Sequence, residues 1–188
     1  MTTQGRAEET SPSALEKRLS MYWQMEAMNV ALLPAAVLIT VISLGGQIRW
    51  PLLVCLAANA VLLVIGACYW RIEYLRLRGQ QEPYDIWLPR LAAMEPLAVV
   101  STGLAVFSLI ADVVAMGGVS GATSWLTAGM ALLALLEYVN YYRWQLQYFD
   151  HLPDFRALMK RKRLKRAHMA RAIKRWRSRQ RGDLTLCL

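Results

Sequence analysis

The sequence predicts an all-α membrane protein with four transmembrane helices in two hairpins, followed by a basic cytoplasmic C-terminal helix. Of the 188 residues, 56% are hydrophobic, and they form continuous blocks rather than the periodic stripes of a soluble domain. Each block is about 20 residues long, the length that a helix needs to cross a bilayer. The formal net charge of +9 lies mostly near the C-terminal end. There, arginine and lysine follow an aromatic belt, which is the order expected at a cytoplasmic membrane surface.

The region before the first apolar block is polar. Residues 1–12 are predicted to be disordered, because they have too little apolar surface to form a core. Ser13 and Glu16 match a capping box, in which each side chain accepts a hydrogen bond from the backbone N–H of the other residue. Residues 13–26 therefore begin a helix. We interpret this helix either as an amphipathic lead-in that lies in the membrane interface or as an ordinary extension of the first span.

Four apolar blocks are separated by two short glycine-rich turns, 45–51 and 117–121, and by a longer loop, 71–92, that is rich in arginine and aromatic residues. Pro34 lies inside the first block and predicts a kink, because proline removes a backbone hydrogen bond. Small residues in the second block, including Gly66, permit close helix contact. The bundle is predicted over residues 27–143, with spans at about 27–44, 51–70, 92–116 and 122–142.

The distribution of positive charge predicts the orientation. The tail, residues 144–188, and the loop 71–92 contain most of the arginine and lysine, whereas the two short turns contain only Arg49. Arginine and lysine accumulate on the cytoplasmic side of membrane proteins. We therefore predict a multi-pass protein of the cell (inner) membrane with both the N- and C-termini in the cytoplasm.

An intramembrane polar cluster is predicted around Glu137, which lies roughly 8 Å inside the membrane boundary. An ionised carboxylate there costs free energy and needs a partner inside the bundle. Asn140 and Tyr141 follow on the same helix face, and Arg90 or Arg71 is expected to supply positive charge from a neighbouring helix. Two roles stay open: a hydrogen-bond network that anchors the helices, or a site for an ion, a proton or a substrate. The other acidic residues on this side are Glu26, Glu73 and Glu95.

Two further polar residues lie within the predicted spans. Asp112 is near the outer boundary, where we expect its carboxylate to reach water. Asn59 is deeper, and we expect it to form a hydrogen bond to another helix.

The sequence contains no motif for catalysis or metal binding. No pair of cysteines has the C-x-x-C spacing. The two histidines lie outside the predicted spans and lack the Glu-x-x-His spacing of di-iron bundles. Phosphate-binding loops, zinc-protease helices and serine nucleophile elbows are also missing from the sequence. We therefore predict no catalytic residue, no metal and no cofactor, and interpret the protein as non-enzymatic.

The polybasic tail is the strongest functional signal. It is rich in helix-forming residues, and Met169, Ile173 and Trp176 recur at helical spacing and are expected to enter the headgroup zone. Basic residues there can bind anionic lipid, at about 1 kcal/mol each, the phosphates of nucleic acid, or an acidic protein. The residues expected to contact anionic lipid or phosphate are Lys160, Arg161, Lys162, Arg163, Lys165, Arg166, Arg171, Lys174, Arg175 and Trp176.

These features predict a small polytopic inner-membrane protein that organises, anchors or regulates a partner through its basic cytoplasmic face. The alternative is a small oligomeric transporter or channel subunit that uses Glu137 and the Glu/Arg cluster on the cytoplasmic side. Four spans are few to enclose a path, so this alternative requires several copies. The expected partners are anionic membrane lipids and either a protein partner or further copies of the chain, with nucleic acid or the ribosome as another alternative.

Overall fold

The computed structural model describes residues 13–119, 121–146 and 165–186, and in this part of the chain the secondary structure is helical without a strand. The helices are α1 (Ala14–Ser43), α2 (Trp50–Leu77), α3 (Glu82–Ala93), α4 (Glu95–Met116), α5 (Gly121–Tyr142) and α6 (His168–Leu186). Four of them, α1, α2, α4 and α5, are long and apolar enough to cross a membrane. The predicted all-α fold with four such helices is therefore confirmed. The predicted disorder of residues 1–12 lies outside the described residues.

Helix α1 joins the lead-in region and the first predicted span in one continuous helix. Its N-terminus is capped as predicted, because the Ser13 hydroxyl accepts a hydrogen bond of 3.2 Å from the backbone N–H of Glu16. The other half of the capping box does not form. The Glu16 carboxylate pairs instead with Arg78, at 3.3 Å, and so ties the start of α1 to the end of α2. Pro34 lies inside α1.

The prediction of a loop over 71–92 is wrong. Helix α2 continues to Leu77, because its last residues are good helix formers, and Gly79 then turns the chain with φ of 82°. A separate helix, α3, follows. The third span is accordingly shorter than the predicted 92–116, because α3 ends before Met94 and α4 starts afresh with Pro96 in its first turn.

Helix α2 is the centre of the bundle, since α1, α4 and α5 all pack against it and α3 packs on its last turns. Its buried side chains include Leu52, Leu62 and Ile65. Helix α1 is the outermost of the four long helices, and only Val37 and Val41 of its residues are fully buried. Large apolar side chains point outwards from α1 and α4, among them Met28, Leu32, Ile39, Ile42, Leu104, Phe107, Ile110 and Val114. Such a surface fits hydrocarbon better than water.

Helix α6 packs on the body of the protein. Met169, Ala172 and Ile173 are buried in the same apolar cluster as Ile72 of α2 and Leu88 of α3. Two backbone hydrogen bonds fix the segment before α6 to the segment after α5. The N–H of residue 145 donates to the carbonyl of residue 165 at 2.9 Å, and the N–H of residue 167 donates to the carbonyl of residue 143 at 3.1 Å.

The expectation that the apolar face of the tail helix enters the headgroup zone is therefore wrong for Met169 and Ile173. Trp176 is half-buried against the same cluster. The physical reason is that the ends of α2, α3 and α5 offer an apolar surface of protein, and burial against it is favourable in proportion to the area removed from water.

Candidate functional site

Most of the predicted site residues lie at one end of the bundle. This end comprises the start of α1, the last turns of α2 and α5, and the helices α3 and α6. We call it the basic end. The opposite end, which contains the turns after α1 and α4, we call the turn end.

Part of the predicted intramembrane cluster is brought together at the basic end. The buried hydroxyl of Tyr141 donates a hydrogen bond of 2.7 Å to the carboxylate of Glu26 on α1. Glu137 lies one turn before Tyr141 on α5, and its carboxylate is near the same hydroxyl. Gly66 on α2 makes room for this arrangement, because a Cβ atom at that position would overlap the phenol of Tyr141. Tyr141 therefore links α5 to the carboxylate of Glu26 on α1 and lies beside that of Glu137.

The other predicted members of the cluster lie elsewhere. The Asn140 side-chain oxygen accepts a hydrogen bond of 3.0 Å from the backbone N–H of Leu146, and so caps the chain as it leaves α5. Arg90 lies over the ring of Trp87, at 4.9 Å, and Arg71 lies 5.7 Å from the ring centre of Trp23. Both arginines are exposed. Among the described residues, neither forms an ion pair with Glu137, so the expectation that arginine supplies the counter-charge is wrong.

The role of Glu26 was not predicted from the sequence. Glu26 was recognised only as one of several acidic residues on the same side. Its pairing with Tyr141 depends on where α1 lies against α2 and α5, which the order of residues along the chain does not show. The glycine at position 66 is the signal that was available, since a small residue in a span indicates a close approach.

A pocket of about 680 Å³ opens at the basic end between α1, α2, α5 and α6. Its wall combines apolar, aromatic and charged side chains. The described lining residues include Leu15, Arg18, Leu19 and Tyr22 of α1, Tyr69, Trp70, Glu73, Arg76 and Leu77 of α2, Tyr141 of α5, and His168 and Arg175 of α6.

The charged part of the pocket is organised around Glu73. Arg76 pairs with its carboxylate at 2.6 Å, and the Tyr69 hydroxyl donates to it at 3.0 Å. The Arg76 guanidinium also lies over the ring of Tyr84 in α3, at 4.7 Å from the ring centre. Burial raises the pKa of the Tyr84 hydroxyl above its ordinary value, and the Glu73 carboxylate raises it further, while Arg76 and Arg175 act in the opposite direction. The Tyr84 hydroxyl therefore stays protonated, and the uncharged ring packs against the Arg76 guanidinium.

The aromatic part of the pocket is a continuous wall. The ring centres of Tyr22 and Trp70 are 5.4 Å apart, those of Tyr69 and Trp70 are 5.2 Å apart, and His168 lies 6.2 Å from Trp70. Arg18 donates a hydrogen bond of 2.6 Å to the Tyr22 hydroxyl. Rings with polar edges of this kind suit the boundary between an apolar and a wet region.

The turn end contains a buried ion pair. The Nη1 atom of Arg49 lies 2.8 Å from the Oδ1 atom of Asp112. The Nη2 atom of the same arginine donates a hydrogen bond of 2.7 Å to the Ser124 hydroxyl. Only 5% of the Asp112 side chain is exposed, so the expectation that it reaches water is wrong. This network connects the turn after α1 to α4 and α5. The expected interhelical bond of Asn59 is confirmed, because its side-chain amide donates to the carbonyl of Met130 on α5 at 2.8 Å.

The predicted basic contacts of the tail are only partly described. Lys165, Arg166, Lys174 and Arg175 are exposed, and Arg171 is half-buried. Lys160, Arg161, Lys162 and Arg163 lie outside the described residues. In the part of the chain that the structure describes, no group of three or more His, Cys, Asp or Glu side chains is placed to hold a metal ion.

The chain matches no protein-family model, no curated protein and no solved structure. Two features of the basic end are accessible from outside the bundle: the outward surface of α6 and the pocket beneath it.

Proposed function

We propose that the protein is a non-enzymatic inner-membrane protein that organises, anchors or regulates an acidic protein partner through the outward surface of α6. One observation carries this proposal. Helix α6 buries Met169, Ala172 and Ile173 on the body, while Lys174 and Arg177 remain exposed. A helix fixed in this way holds its cations in a set arrangement, which favours a complementary acidic surface over diffuse attraction to any anion.

We further propose that α1–α2 and α4–α5 form two hairpins and that the basic end faces the cytoplasm. The packing of α1 on α2 and of α4 on α5 supports the hairpins. The concentration of arginine and lysine at the basic end, against Arg49 at the turn end, supports the orientation.

The orientation is tested with single cysteines at Gln80 (basic end) and Val119 (turn end), in a chain whose three native cysteines are replaced. In intact cells, a membrane-impermeant maleimide should label position 119. Position 80 should be labelled only after the inner membrane is permeabilised. The reverse pattern would show that the basic end faces outwards.

The partner is tested by photo-crosslinking from position 178, on the exposed part of α6, in the full-length protein in cells. We expect one discrete protein adduct. Its yield should fall several-fold in the double variant Lys174→Gln/Arg177→Gln, because the electrostatic contact is lost. The matched control is Arg71→Gln/Arg90→Gln, which removes the same charge from exposed arginines outside α6 and should leave the yield unchanged. An adduct that ribonuclease removes would make the partner a nucleic acid and contradict the proposal.

The second candidate function is transport of protons or ions by several copies of the chain. The observation in its favour is that Glu26 and Glu137 approach the same tyrosine hydroxyl between helices, and that neither forms an ion pair within the described residues. Carboxyl groups inside a membrane bundle are typical of proton and ion pathways. Vesicles that contain the purified protein and a pH-sensitive dye test this role. Proton movement that Glu137→Gln abolishes at unchanged melting temperature would support transport. Movement equal to that of protein-free vesicles would exclude proton transport by this protein.

A further inference from the structure

We propose that the pocket at the basic end binds one membrane lipid that has an anionic phosphate headgroup. This goes beyond the proposed function, because it concerns the space between the helices rather than the outward surface of α6. The shared chemistry is a phosphate anion, and the choice between a lipid and a free phosphate ion rests on the apolar part of the pocket.

The size and the position of the pocket suit a lipid headgroup. Its volume of about 680 Å³ falls within the range of ligand sites, about 300–1,000 Å³. It lies along the last two turns of α2, where the apolar sequence gives way first to Tyr69 and Trp70 and then to arginines. Aromatic and then basic residues in this order mark the headgroup level of a membrane. A headgroup can therefore occupy the pocket while its lipid stays in the bilayer.

The charge of the pocket selects an anion. Arg18, Arg76 and Arg175 line it from three different helices. The one carboxylate among the described lining residues is Glu73, which already accepts from Arg76 and from the Tyr69 hydroxyl. Among the described lining residues, Glu73 thus compensates Arg76, whereas Arg175 adds a further positive charge. Basic pockets between transmembrane helices bind anionic headgroups, and the guanidinium group matches the geometry of a phosphate.

The apolar part of the pocket selects an amphiphile. Leu15 and Leu19 line it from α1, and Leu77 lines it from α2. Helix α1 is the outermost long helix, and its Met21 and Met25 are exposed on the outer surface. Acyl chains can therefore leave the pocket along α1 into the hydrocarbon. A free phosphate ion would use none of these side chains.

The test is native mass spectrometry of the full-length protein in a neutral detergent, with three probes: phosphatidylglycerol, phosphatidylcholine and inorganic phosphate. We expect one tightly bound phosphatidylglycerol molecule per chain, with an affinity about tenfold or more above that of phosphatidylcholine. Inorganic phosphate should not displace it. Equal affinity for the two lipids would overturn the anionic preference, and displacement by inorganic phosphate would overturn the assignment of an amphiphile.

Variants locate the bound lipid. Arg18→Gln/Arg175→Gln should weaken the binding of phosphatidylglycerol about fivefold for each charge removed, whereas the control Arg71→Gln/Arg90→Gln should leave it unchanged. Leu19→Trp fills the pocket without changing the charge, and should weaken the binding of this lipid even if the arginine variant does not fold. Equal weakening by the two double variants, or full retention by Leu19→Trp, would overturn the proposal. Lys174→Gln/Arg177→Gln should retain the lipid, which separates this inference from the proposed partner.

Discussion

At the scale of single residues, the contact between α1 and α5 depends on the absence of a side chain at position 66. The Tyr141 hydroxyl passes α2 at this position on its way to Glu26. In Gly66→Ala, the new methyl group would overlap the phenol, and the tyrosine would have to move and release the carboxylate. We expect a loss of about 1–3 kcal/mol in the free energy of unfolding, measured by thermal and denaturant unfolding in detergent.

Two matched variants make this prediction specific. Gly129→Ala on α5 adds the same methyl group where no heavy atom lies within 4 Å, and should be neutral or slightly stabilising. Tyr141→Phe removes only the hydroxyl and should cost about 1 kcal/mol. The effects of Gly66→Ala and Tyr141→Phe should not add in the double variant, because both act on the same hydrogen bond. Full additivity would show that position 66 acts through other contacts.

The ion pair at the turn end gives a second prediction at the residue scale. Asp112→Asn leaves Arg49 without its counter-charge, while 23% of the arginine side chain is still exposed. We expect a loss of roughly 2 kcal/mol, below the ~3–5 kcal/mol of a fully buried pair, because water partly screens Arg49. The control is Glu16→Gln, which breaks the pair with Arg78, whose side chain is 54% exposed, and should cost less than about 1 kcal/mol. Equal losses in the two variants would contradict a buried role for Asp112.

At the scale of helices, the sequence predicts the long apolar elements better than their neighbours. Each of the four long helices is marked by a continuous apolar block, and this signal does not depend on which helix packs against which. The end of α2 and the whole of α3 were predicted as a loop, because arginines and aromatic residues at 71–92 indicate a membrane interface. The same residues are compatible with helices, and an interface can be built from either. The third span was predicted to start at about 92, whereas α4 starts at Glu95 with Pro96 in its first turn.

Helix α6 shows a different limit of prediction. The spacing of Met169, Ile173 and Trp176 correctly indicated a helix with an apolar face. An apolar stripe has the same spacing whether lipid or protein covers it, so the sequence alone did not identify what covers it. The partnership of Glu26 with Tyr141 is hidden for the same reason, since it is a property of tertiary packing.

The docking of α6 is tested by Ile173→Ala. Only 4% of the Ile173 side chain is exposed, and its truncation should cost about 2 kcal/mol or more. If α6 is held mainly by this face, its backbone amides should exchange with deuterium roughly thirtyfold faster, while the amides of α4 serve as the internal reference. Gln180→Ala, at an exposed position of the same helix, should leave the exchange unchanged. Equal exchange in wild type and Ile173→Ala would contradict the packing of α6 on the body.

At the scale of the whole molecule, large apolar side chains lie on the outer surface of the long helices. The core around α2 contains small and medium side chains, such as Ala98 and Ala105, whereas the outward face of α4 presents larger residues. In water, this outward face would have to be covered by other protein. In a bilayer it needs no cover, because the surrounding hydrocarbon is equally apolar.

The contact of the outward face of α4 with lipid can be measured with spin labels on α4 and α3, in a chain without its native cysteines. Phe107, with 66% of its side chain exposed, lies near the middle of α4, and Glu82 is exposed at the start of α3. In the reconstituted protein, a label at 107 should be accessible to oxygen and protected from a water-soluble nickel complex, whereas a label at 82 should show the opposite behaviour. A label at the buried Ala105 should be protected from both reagents. Access of the nickel complex to position 107 would mean that this face is covered by neither lipid nor protein, and would contradict the assignment of α4 as a membrane span.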